Sequence, residues 1–284
     1  MSTFRFNFLG EGENNAGTEC QEEIQWLESA EVIPKKIWEI EEKLTQAKMF
    51  TCGDIEIGHV IVSNAIASIE EDGFKNVVEL AEKEHSDLVA GSYEGGLKIW
   101  ECTNDLLLYL VENLDDINFQ KLNVLDLGCG AGILGIYTLK NGSTVTFQDY
   151  NKEVLEHVTI PNVLLNIDDE EKESKIKMCK FYSGDWNSFN KILPSTELYD
   201  IILTSETIYN EYNYEKLINL FVERLKKDGV AYVAAKTYYF GVGGGTRQFE
   251  EKIKKHGTLA CEVCWLSVGG IQREILKITR AKPT

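Results

Sequence analysis

The segment Asp126-Leu-Gly-Cys-Gly-Ala-Gly-Ile-Leu-Gly135 carries glycines whose spacing lets a backbone approach a ligand closely. It follows the apolar run Asn123-Val-Leu and precedes an apolar stretch, which predicts a turn between a buried strand and a helix. A helix that begins in such a turn directs free N–H groups and a positive dipole end towards a ligand. The spacing also satisfies the dinucleotide fingerprint, and glycine clusters form plain tight turns, so the loop alone leaves the ligand open.

Acidic side chains follow the next two predicted strands. Asp149 ends the strand Thr144 to Gln148, where a carboxylate can bind both hydroxyls of a ribose; it can also simply start the next helix. Asp185 and Trp186 follow the strand Lys177 to Tyr182 and are placed to flank an adenine, with a turn role as the equal alternative. These residues predict a nucleoside site at the ends of the strands.

Two further polar groups, Glu206 and Tyr209, lie in Ser205-Glu-Thr-Ile-Tyr-Asn210 after the strand Tyr199 to Thr204. A carboxylate and a phenol there suit the orientation of a nitrogen nucleophile and the control of its proton. The alternative for Glu206 is a charge at a helix entry. Trp100, Glu101 and Thr103 begin a helix that precedes the first strand, where an aromatic face could shelter a sulfonium or simply belong to the core. Asp126 is expected to support the glycine loop through backbone N–H groups.

Strands and helices must alternate to bring these residues together, and the apolar periodicity predicts that they do. Five βα units then form a parallel sheet. Gly229 is predicted as the C-cap that ends one helix. The predicted helices are 97–111, 132–140, 153–166 with an interruption near Pro161, and 215–226, and a further strand covers 230–235.

The C-terminal tail breaks this alternation. Residues 258–266 and 271–279 alternate apolar and polar side chains around Ser-Val-Gly-Gly, which predicts an antiparallel hairpin at the sheet edge. A parallel sheet closed by such a pair is the α/β, Rossmann-like, seven-strand methyltransferase sheet, whereas a dinucleotide-binding dehydrogenase does not ordinarily end this way.

The composition restricts the class of protein. The 284 residues have 29 basic and 46 acidic side chains, a net charge of −17, which disfavours direct nucleic-acid binding and attracts a basic protein. Seven scattered cysteines indicate reduced thiols, and the lack of a leader or membrane segment indicates an intracellular protein. Cys261-Glu-Val-Cys264 is interpreted as structural, so no metal is expected. The run Gly241 to Gly245 is interpreted as a lid or turn.

Three regions are predicted along the chain. Residues 1–50 are acidic and poor in periodic apolar residues, so we expect them to be largely disordered and dispensable for cofactor binding. Residues 51–96 form an extension that packs on the core, and residues 97–284 form the methyltransferase domain. A helix over 39–49 and a strand over 55–62 are the only elements predicted before residue 97.

Five segments together resemble the eukaryotic protein-histidine methyltransferases that modify a large-subunit ribosomal protein. They are Tyr93-Glu-Gly-Gly-Leu-Lys-Ile-Trp-Glu-Cys-Thr103, the loop 126–135, Phe147-Gln-Asp-Tyr-Asn151, Leu203-Thr-Ser-Glu-Thr-Ile-Tyr-Asn210 and Tyr239-Phe-Gly-Val-Gly-Gly-Gly245. The resemblance runs from about Ser86 to the C-terminus. The loop is generic, whereas the Trp-Glu-Cys-Thr and Ser-Glu-Thr-Ile-Tyr-Asn segments are typical of that family and its near relatives.

The resemblance implies S-adenosylmethionine as cofactor, a basic ribosomal protein as partner, no membrane association, and a cytoplasmic and nuclear location. It implies Glu206 and Tyr209 as catalytic residues. Two alternatives remain at this point: a related protein-lysine methyltransferase, and a non-catalytic cofactor-binding chaperone of a basic ribosomal protein. The implied cofactor-binding residues are Ile99, Trp100, Glu101, Cys102, Thr103, Gly128, Gln148, Asp149, Tyr150, Gly184, Asp185, Trp186 and Ser205.

Overall fold

The computed structural model describes residues 25–44, 46–73, 92–113 and 117–282. Its centre is an eight-stranded sheet in the order β1-β6-β5-β4-β7-β8-β10-β9, accompanied by a separate antiparallel pair, β2 and β3. The strands are Ala30–Glu31 (β1), Ala47–Cys52 (β2), Ile55–Val60 (β3), Asn123–Leu127 (β4), Thr144–Asp149 (β5), Cys179–Ser183 (β6), Tyr199–Ser205 (β7), Leu225–Lys236 (β8), Leu259–Leu266 (β9) and Arg273–Arg280 (β10).

The pairing confirms the predicted architecture. Strands β6, β5, β4, β7 and β8 are parallel, and β10 lies antiparallel between β8 and β9. Parallel neighbours need crossover helices, and helices occur between them. The helices are Ile37–Glu41 (α1), Val62–Glu71 (α2), Glu101–Glu112 (α3), Ile133–Lys140 (α4), Lys152–Val154 with Ile160–Leu165 (α5), Lys172–Lys175 (α6), Trp186–Ile192 (α7), Tyr214–Arg224 (α8) and Thr246–His256 (α9).

Both faces of the central sheet are covered, because alternate side chains of a strand point to opposite faces. In β4, Val124 belongs to one apolar cluster, and Leu125 and Leu127 belong to the other. The first cluster includes residues of α3, α4 and α5, and the second includes residues of α7, α8 and α9. The carboxyl ends of the parallel strands are therefore held rigidly between two helical layers.

The N-terminal region is where the expectation of disorder is wrong. Within residues 25–50, the chain forms β1, α1 and most of β2, and Val32 and Ile40 are buried in the main core. The predicted helix over 39–49 is α1 followed by a strand, and the predicted boundary at residue 50 falls inside β2. The strand predicted over 55–62 is β3. Disorder of residues 1–24 stays a prediction, since they lie outside the described residues.

The interruption predicted near Pro161 is a π-helical turn, Leu155–Thr159, that divides α5 just before this proline. Such turns often occur at functional sites. Here the turn brings the Thr159 hydroxyl to the glycine loop, where it donates to the Gly130 carbonyl at 2.6 Å.

Gly229 does not cap a helix. It lies inside β8, because α8 ends at Arg224 and the chain enters the strand directly. The β7–β8 register shifts between Tyr199 and Ile201, and a Cβ at Gly229 would lie 2.9 Å from the Tyr199 carbonyl oxygen. A close backbone approach therefore requires this glycine.

None of the helices among the described residues is long and apolar enough to cross a membrane. Cys261 and Cys264 lie within β9 as free thiols, and the Cys264 Sγ donates to the Ile275 carbonyl at 3.4 Å. In the described part of the chain, no group of three or more potential metal ligands is close enough to hold an ion.

Candidate active site

A cavity opens at the carboxyl ends of β4, β5, β6 and β7. This is where ligands bind in open α/β sheets. Most of the residues singled out from the sequence line it. They are Ile99, Trp100, Thr103, Gly128, Asp149, Tyr150, Asp185, Trp186, Ser205, Glu206 and Tyr209.

The glycine loop requires its glycines for steric reasons. Gly128, Gly130 and Gly132 have φ angles of 65°, 49° and 74°, which favour glycine. A Cβ at Gly128 would lie 2.6 Å from the Thr207 Cγ2 atom, and one at Gly130 would lie 3.1 Å from the carbonyl oxygen of Gly96. The loop thus forms a floor of bare backbone.

Asp126 supports this floor from below, as expected. Its Oδ2 accepts a hydrogen bond from the Gly135 N–H at 2.8 Å, which fixes the first turn of α4 relative to β4. Burial, with a smaller contribution from the Asp149 carboxylate, raises the pKa of Asp126 to about 8 against the opposing hydrogen bond from the Gly135 N–H. Asp126 lies beneath the loop and does not line the cavity.

Asp149 lies at the end of β5 and faces the cavity. Its Oδ2 accepts from the Gly130 N–H at 2.9 Å, and its Oδ1 accepts from the Asn151 N–H at 3.1 Å. Burial raises the pKa of Asp149 to about 6, although the backbone donors of Gly130, Asn151 and Tyr150 oppose this shift. The carboxylate is therefore held rigidly where the sequence predicts ribose hydroxyls, which remains a prediction.

Asp185 caps α7 and also lines the cavity. Its Oδ2 accepts from the backbone N–H groups of Asn187 at 2.9 Å and Ser188 at 3.4 Å. Its Oδ1 pairs with the ammonium group of Lys216. Asp185 therefore has both of the positions that the sequence left open, since it caps a helix and lines the cavity. Its capping hydrogen bonds fix the position of the carboxylate.

Gln148 and Gly184, both predicted to bind the cofactor, do not line the cavity. Gln148 is fully buried, and its amide donates to the Gly184 carbonyl at 2.7 Å while its Oε1 accepts from the Trp186 indole N–H at 2.9 Å. Gln148 therefore fixes the indole that does line the cavity.

The start of α3 divides its predicted residues between two faces. Trp100 and Thr103 line the cavity; the indole N–H of Trp100 donates to the Gly95 carbonyl at 3.1 Å, and the hydroxyls of Thr103 and Ser205 lie 2.8 Å apart. The Trp100 ring also has the Lys98 ammonium 4.8 Å from its centroid.

Glu101 and Cys102 do not line the cavity, although the Cys102 thiol lies beside the cavity-lining Glu206 carboxylate, so cofactor binding by these two residues stays a prediction. The Glu101 carboxylate is 64% exposed and lies 3.8 Å from the Arg273 guanidinium. Cys102 is fully buried in the core, and this burial raises the pKa of its thiol well above the ordinary value. Consecutive residues of a helix point to different faces, so a continuous sequence motif does not show which of its side chains reach the cavity.

Glu206 has an unusual backbone and a buried carboxylate. Its φ is 58°, a left-handed conformation that costs a non-glycine residue on the order of 1–2 kcal/mol and that recurs at functional sites. Its Oε2 accepts from the Tyr239 hydroxyl at 2.5 Å, and its Oε1 lies 3.7 Å from the Lys236 ammonium. This Oε1 accepts no hydrogen bond from the described residues, although it is buried.

The Tyr239 hydroxyl donates to Glu206 and accepts from the Lys236 backbone N–H at 3.4 Å. Burial and the adjacent Glu206 carboxylate hold the pKa of the Tyr239 hydroxyl well above its ordinary value, so its proton stays in place. The second carboxylate oxygen of Glu206 is buried, and the charged group nearest to it is the Lys236 ammonium.

Tyr209 contacts a segment that sequence reasoning did not assign to the site. Its hydroxyl donates to the carboxylate of Glu94, and its ring packs edge to face on Tyr239 at 6.3 Å. Glu94, Gly95 and Gly96 all line the cavity. The double glycine after Tyr93 is the available sequence signal, since a Cβ at Gly96 would lie 2.9 Å from Val154.

The Tyr209–Glu94 contact joins the two sides of the cavity mouth. We expect Tyr209→Phe and Glu94→Ala each to lower kcat/KM about tenfold, and the double variant to be no worse than either single one, because both remove one interaction. Steady-state kinetics at saturating cofactor measure this cycle. Tyr212→Phe is the control, since the Tyr212 side chain is 82% exposed. Fully additive losses would show that the two residues act independently.

The cavity fits S-adenosylmethionine in its chemistry. Asp149 provides a fixed acceptor at the end of β5. After β6, Asp185 provides a second acceptor and Trp186 an aromatic wall. Trp100, before α3, and Glu206, after β7, also line the cavity. Bare glycine backbone forms the floor between them, where a Cβ would fill space. From this order we expect the nucleoside at β5 and β6 and the reactive end near β7.

Comparison with known proteins agrees with this geometry. A family model described as lysine methyltransferase matches residues 84–255. The histidine protein methyltransferase 1 homologue of Bos taurus is 36% identical over 97% of this chain and 79% of that protein. The homologue of Dictyostelium discoideum is 47% identical over 68% of this chain, which spans 60% of that protein. A Streptococcus mutans structure assigned as a SAM-dependent methyltransferase shares the fold at a TM-score of 0.52 and 14% identity, covering 82% of this chain and 55% of that one.

Proposed function

This chain belongs to the lysine methyltransferase family and is homologous to the histidine protein methyltransferases, and from that premise we propose that it methylates a ring nitrogen of a histidine in a protein. The cofactor is S-adenosylmethionine. The observation that carries the choice of acceptor is the carboxylate of Glu206, a cavity-lining residue whose buried Oε1 accepts no hydrogen bond from the described residues and pairs with the Lys236 ammonium at 3.7 Å.

A histidine acceptor needs orientation more than deprotonation. An imidazole with an ordinary pKa of about 6.5 is mostly neutral at pH 7, so one ring nitrogen already carries a free lone pair. When bound, S-adenosylmethionine supplies an electrophilic methyl group on a sulfonium. Glu206 accepts the N–H of the far ring nitrogen, which selects the tautomer whose other nitrogen faces the methyl group, and it stabilises the positive charge that the ring acquires.

The residues around Glu206 keep it in this role. The Tyr239 hydroxyl holds one carboxylate oxygen, and the Lys236 ammonium lies 3.7 Å from the other. The left-handed backbone at Glu206, fixed by its N–H donating to the Ala234 carbonyl at 2.9 Å, aims the side chain into the cavity. A lysine acceptor would in addition have to lose a proton before attack, because an ordinary ammonium has a pKa of about 10.4.

An exposed apolar surface beside the mouth supports a macromolecular substrate. Phe240 is 75% exposed and packs edge to face on Tyr238 at 5.0 Å, in the loop that also supplies Tyr239. The Gly244 N–H of this loop donates to the Tyr209 carbonyl at 3.2 Å, so the loop is continuous with the site. Exposed apolar groups that cluster beside a cavity are typical of protein docking surfaces.

We expect Phe240→Ser to lower kcat/KM for the protein substrate about five- to tenfold, because the exposed ring would be buried on docking. The dissociation constant for S-adenosylhomocysteine should not change. Ile33→Ser is the matched control, since Ile33 is 71% exposed and follows β1 at the opposite edge of the sheet. An unchanged kcat/KM for Phe240→Ser would exclude this loop from docking.

We further propose that the substrate is a basic ribosomal protein of the large subunit, reached in the cytoplasm and the nucleus. The net charge of −17 supports a basic partner, since opposite charges accelerate encounter. The segment Ser205-Glu-Thr-Ile-Tyr-Asn210 supports the family resemblance on which the ribosomal identity rests.

The decisive experiment identifies the modified residue. Purified protein and radiolabelled S-adenosylmethionine are added to a lysate of cells that lack this methyltransferase, and the labelled band is analysed by mass spectrometry. Methylhistidine in a large-subunit ribosomal protein is expected. Methyllysine would establish the lysine alternative, which the description of the family model favours. Cofactor binding without any transfer would favour the non-catalytic chaperone.

A further inference from the structure

Residues 26–31, the segment that ends in β1, cross the open end of the crevice beside β6. The Leu27 N–H donates to the Tyr150 hydroxyl at 3.0 Å, and the Leu27 carbonyl accepts from the Asp185 N–H at 2.9 Å. The Ser29 N–H donates to the Ser188 Oγ at 2.9 Å, and Ala30 pairs with Ser183 in the sheet. The segment is thus bound to Tyr150 and Asp185, which follow β5 and β6 at the cavity.

Trp26, at the start of this segment, is one of the side chains that line the cavity. Its ring packs edge to face on Tyr150, with 6.2 Å between the centroids. The Lys216 ammonium lies 3.3 Å from the centroid of the Trp26 ring and also pairs with the Asp185 carboxylate. A cation over an indole and an adjacent carboxylate fix the ring in one orientation.

Gly184, which follows β6, lies directly against the backbone of this segment. Its φ is 98°, and a Cβ there would lie 2.6 Å from the Ser29 Cα and 2.7 Å from the Glu28 carbonyl oxygen. These are backbone atoms, which cannot move aside as a flexible side chain can. The glycine therefore leaves room for the segment.

We propose that Trp26 is a cofactor-binding residue and forms a wall of the adenine subsite, with residues 26–31 acting as a clasp over it. The subsite lies between Asp149 and the Asp185–Trp186 pair, and Trp26 contacts the residues that flank both. A purine presents a flat π face, which binds favourably against an aromatic ring. The inference rests on the cofactor site and is independent of the histidine acceptor.

The test measures ligand binding without any acceptor protein. Trp26→Ala should weaken the binding of S-adenosylhomocysteine about tenfold, within the usual range for the loss of one base–aromatic stack. It should weaken 5′-methylthioadenosine by the same factor, since this compound keeps the adenine and ribose and lacks the amino-acid end. Isothermal titration calorimetry gives both dissociation constants, and a thermal melt of each variant shows that it is folded.

Two variants make the result specific. Trp38→Ala is the matched control, because Trp38 lies in the same N-terminal region, is 60% exposed and does not line the cavity; its affinities should equal those of the wild type. Trp26→Phe keeps an aromatic face and should retain most of the affinity. Wild-type affinity in folded Trp26→Ala would overturn the proposal, and so would an equal loss in Trp38→Ala. If Trp26→Ala does not fold, Trp26→Leu decides in the same way.

Discussion

Replacing Glu206 by glutamine is expected to lower turnover about one hundredfold while leaving the affinity for S-adenosylhomocysteine nearly unchanged, the usual scale for a positioned acid–base partner. A hundredfold loss corresponds to about 2.7 kcal/mol of transition-state stabilisation. Glu206 follows β7 and lines the cavity, but the predicted ribose and adenine contacts lie at β5 and β6. Its loss should therefore affect the acceptor and spare the nucleoside.

The size of the effect follows from the two oxygens of this carboxylate. In Glu206→Gln, the oxygen of the amide can still accept from the Tyr239 hydroxyl, so the side chain keeps its position. The atom that replaces Oε1 becomes an N–H donor and cannot accept the N–H of an imidazole. The negative charge that stabilises the developing imidazolium is also lost.

A matched exposed carboxylate provides the control. Glu211→Gln changes a solvent-exposed side chain a few residues further along the same loop, and its turnover should equal that of the wild type. Single-turnover kinetics and calorimetry separate the chemical step from cofactor binding. Full activity of Glu206→Gln would assign this residue to a structural charge, and loss of S-adenosylhomocysteine binding would make it a cofactor ligand.

The central sheet and most of the site were predictable because their signals are local. Apolar runs followed by glycine or aspartate define the ends of β4, β5 and β6, and the alternating tail defines β9 and β10. Once parallel order is inferred, the carboxyl ends of these strands must meet at one edge. That is why the sequence predicts the position of Asp149 and Glu206 at this edge, whereas their roles there stay predictions.

The parts that were missed depend on contacts between distant segments. Trp26 reaches the cavity because the neighbouring Leu27 bonds to Tyr150, 123 residues further along the chain, and no local pattern records such a pairing. Strand β1 has only two residues, which is too short to show alternation. The acidic composition of residues 1–50 predicted disorder, but Val32 and Ile40 are enough to anchor part of the segment in the core.

Helix geometry explains why only part of the motif at the start of α3 lines the cavity. The start of α3 was assigned to the cofactor as one continuous stretch, and only the residues on one helical face line the cavity. Glu101 lies on the exposed face and Cys102 on the core face. A motif shared by a family therefore identifies the element, whereas the 3.6-residue period decides which side chains reach the ligand.

Replacing Asp149 by alanine is expected to weaken cofactor binding by about 1.5 to 3 kcal/mol, the scale of losing charge-assisted hydrogen bonds to two ribose hydroxyls. The fold should survive, since β5 is held on both sides by β4 and β6. Asp169→Ala removes a carboxylate that is 92% exposed and should bind like the wild type. An unchanged dissociation constant in folded Asp149→Ala would remove Asp149 from the cofactor site.

The same carboxylate predicts a pH dependence whose sign can be derived. Burial raises the pKa of Asp149 to about 6, so below that pH the group is largely protonated in the free protein. A protonated Asp149 is less costly to bury, so protonation stabilises the protein without its cofactor. Ribose hydroxyls bind more strongly to the charged carboxylate, so protonation weakens cofactor binding. The affinity for S-adenosylhomocysteine should therefore be constant above pH 7 and about tenfold weaker at pH 5, since each pH unit below the pKa leaves about tenfold less carboxylate.

Calorimetry between pH 5 and pH 8 measures this profile. The variant Asp149→Asn keeps the shape of the side chain and lacks its charge, so its affinity for S-adenosylhomocysteine should not fall between pH 7 and pH 5. If the affinity still falls in this variant, another group causes the pH dependence.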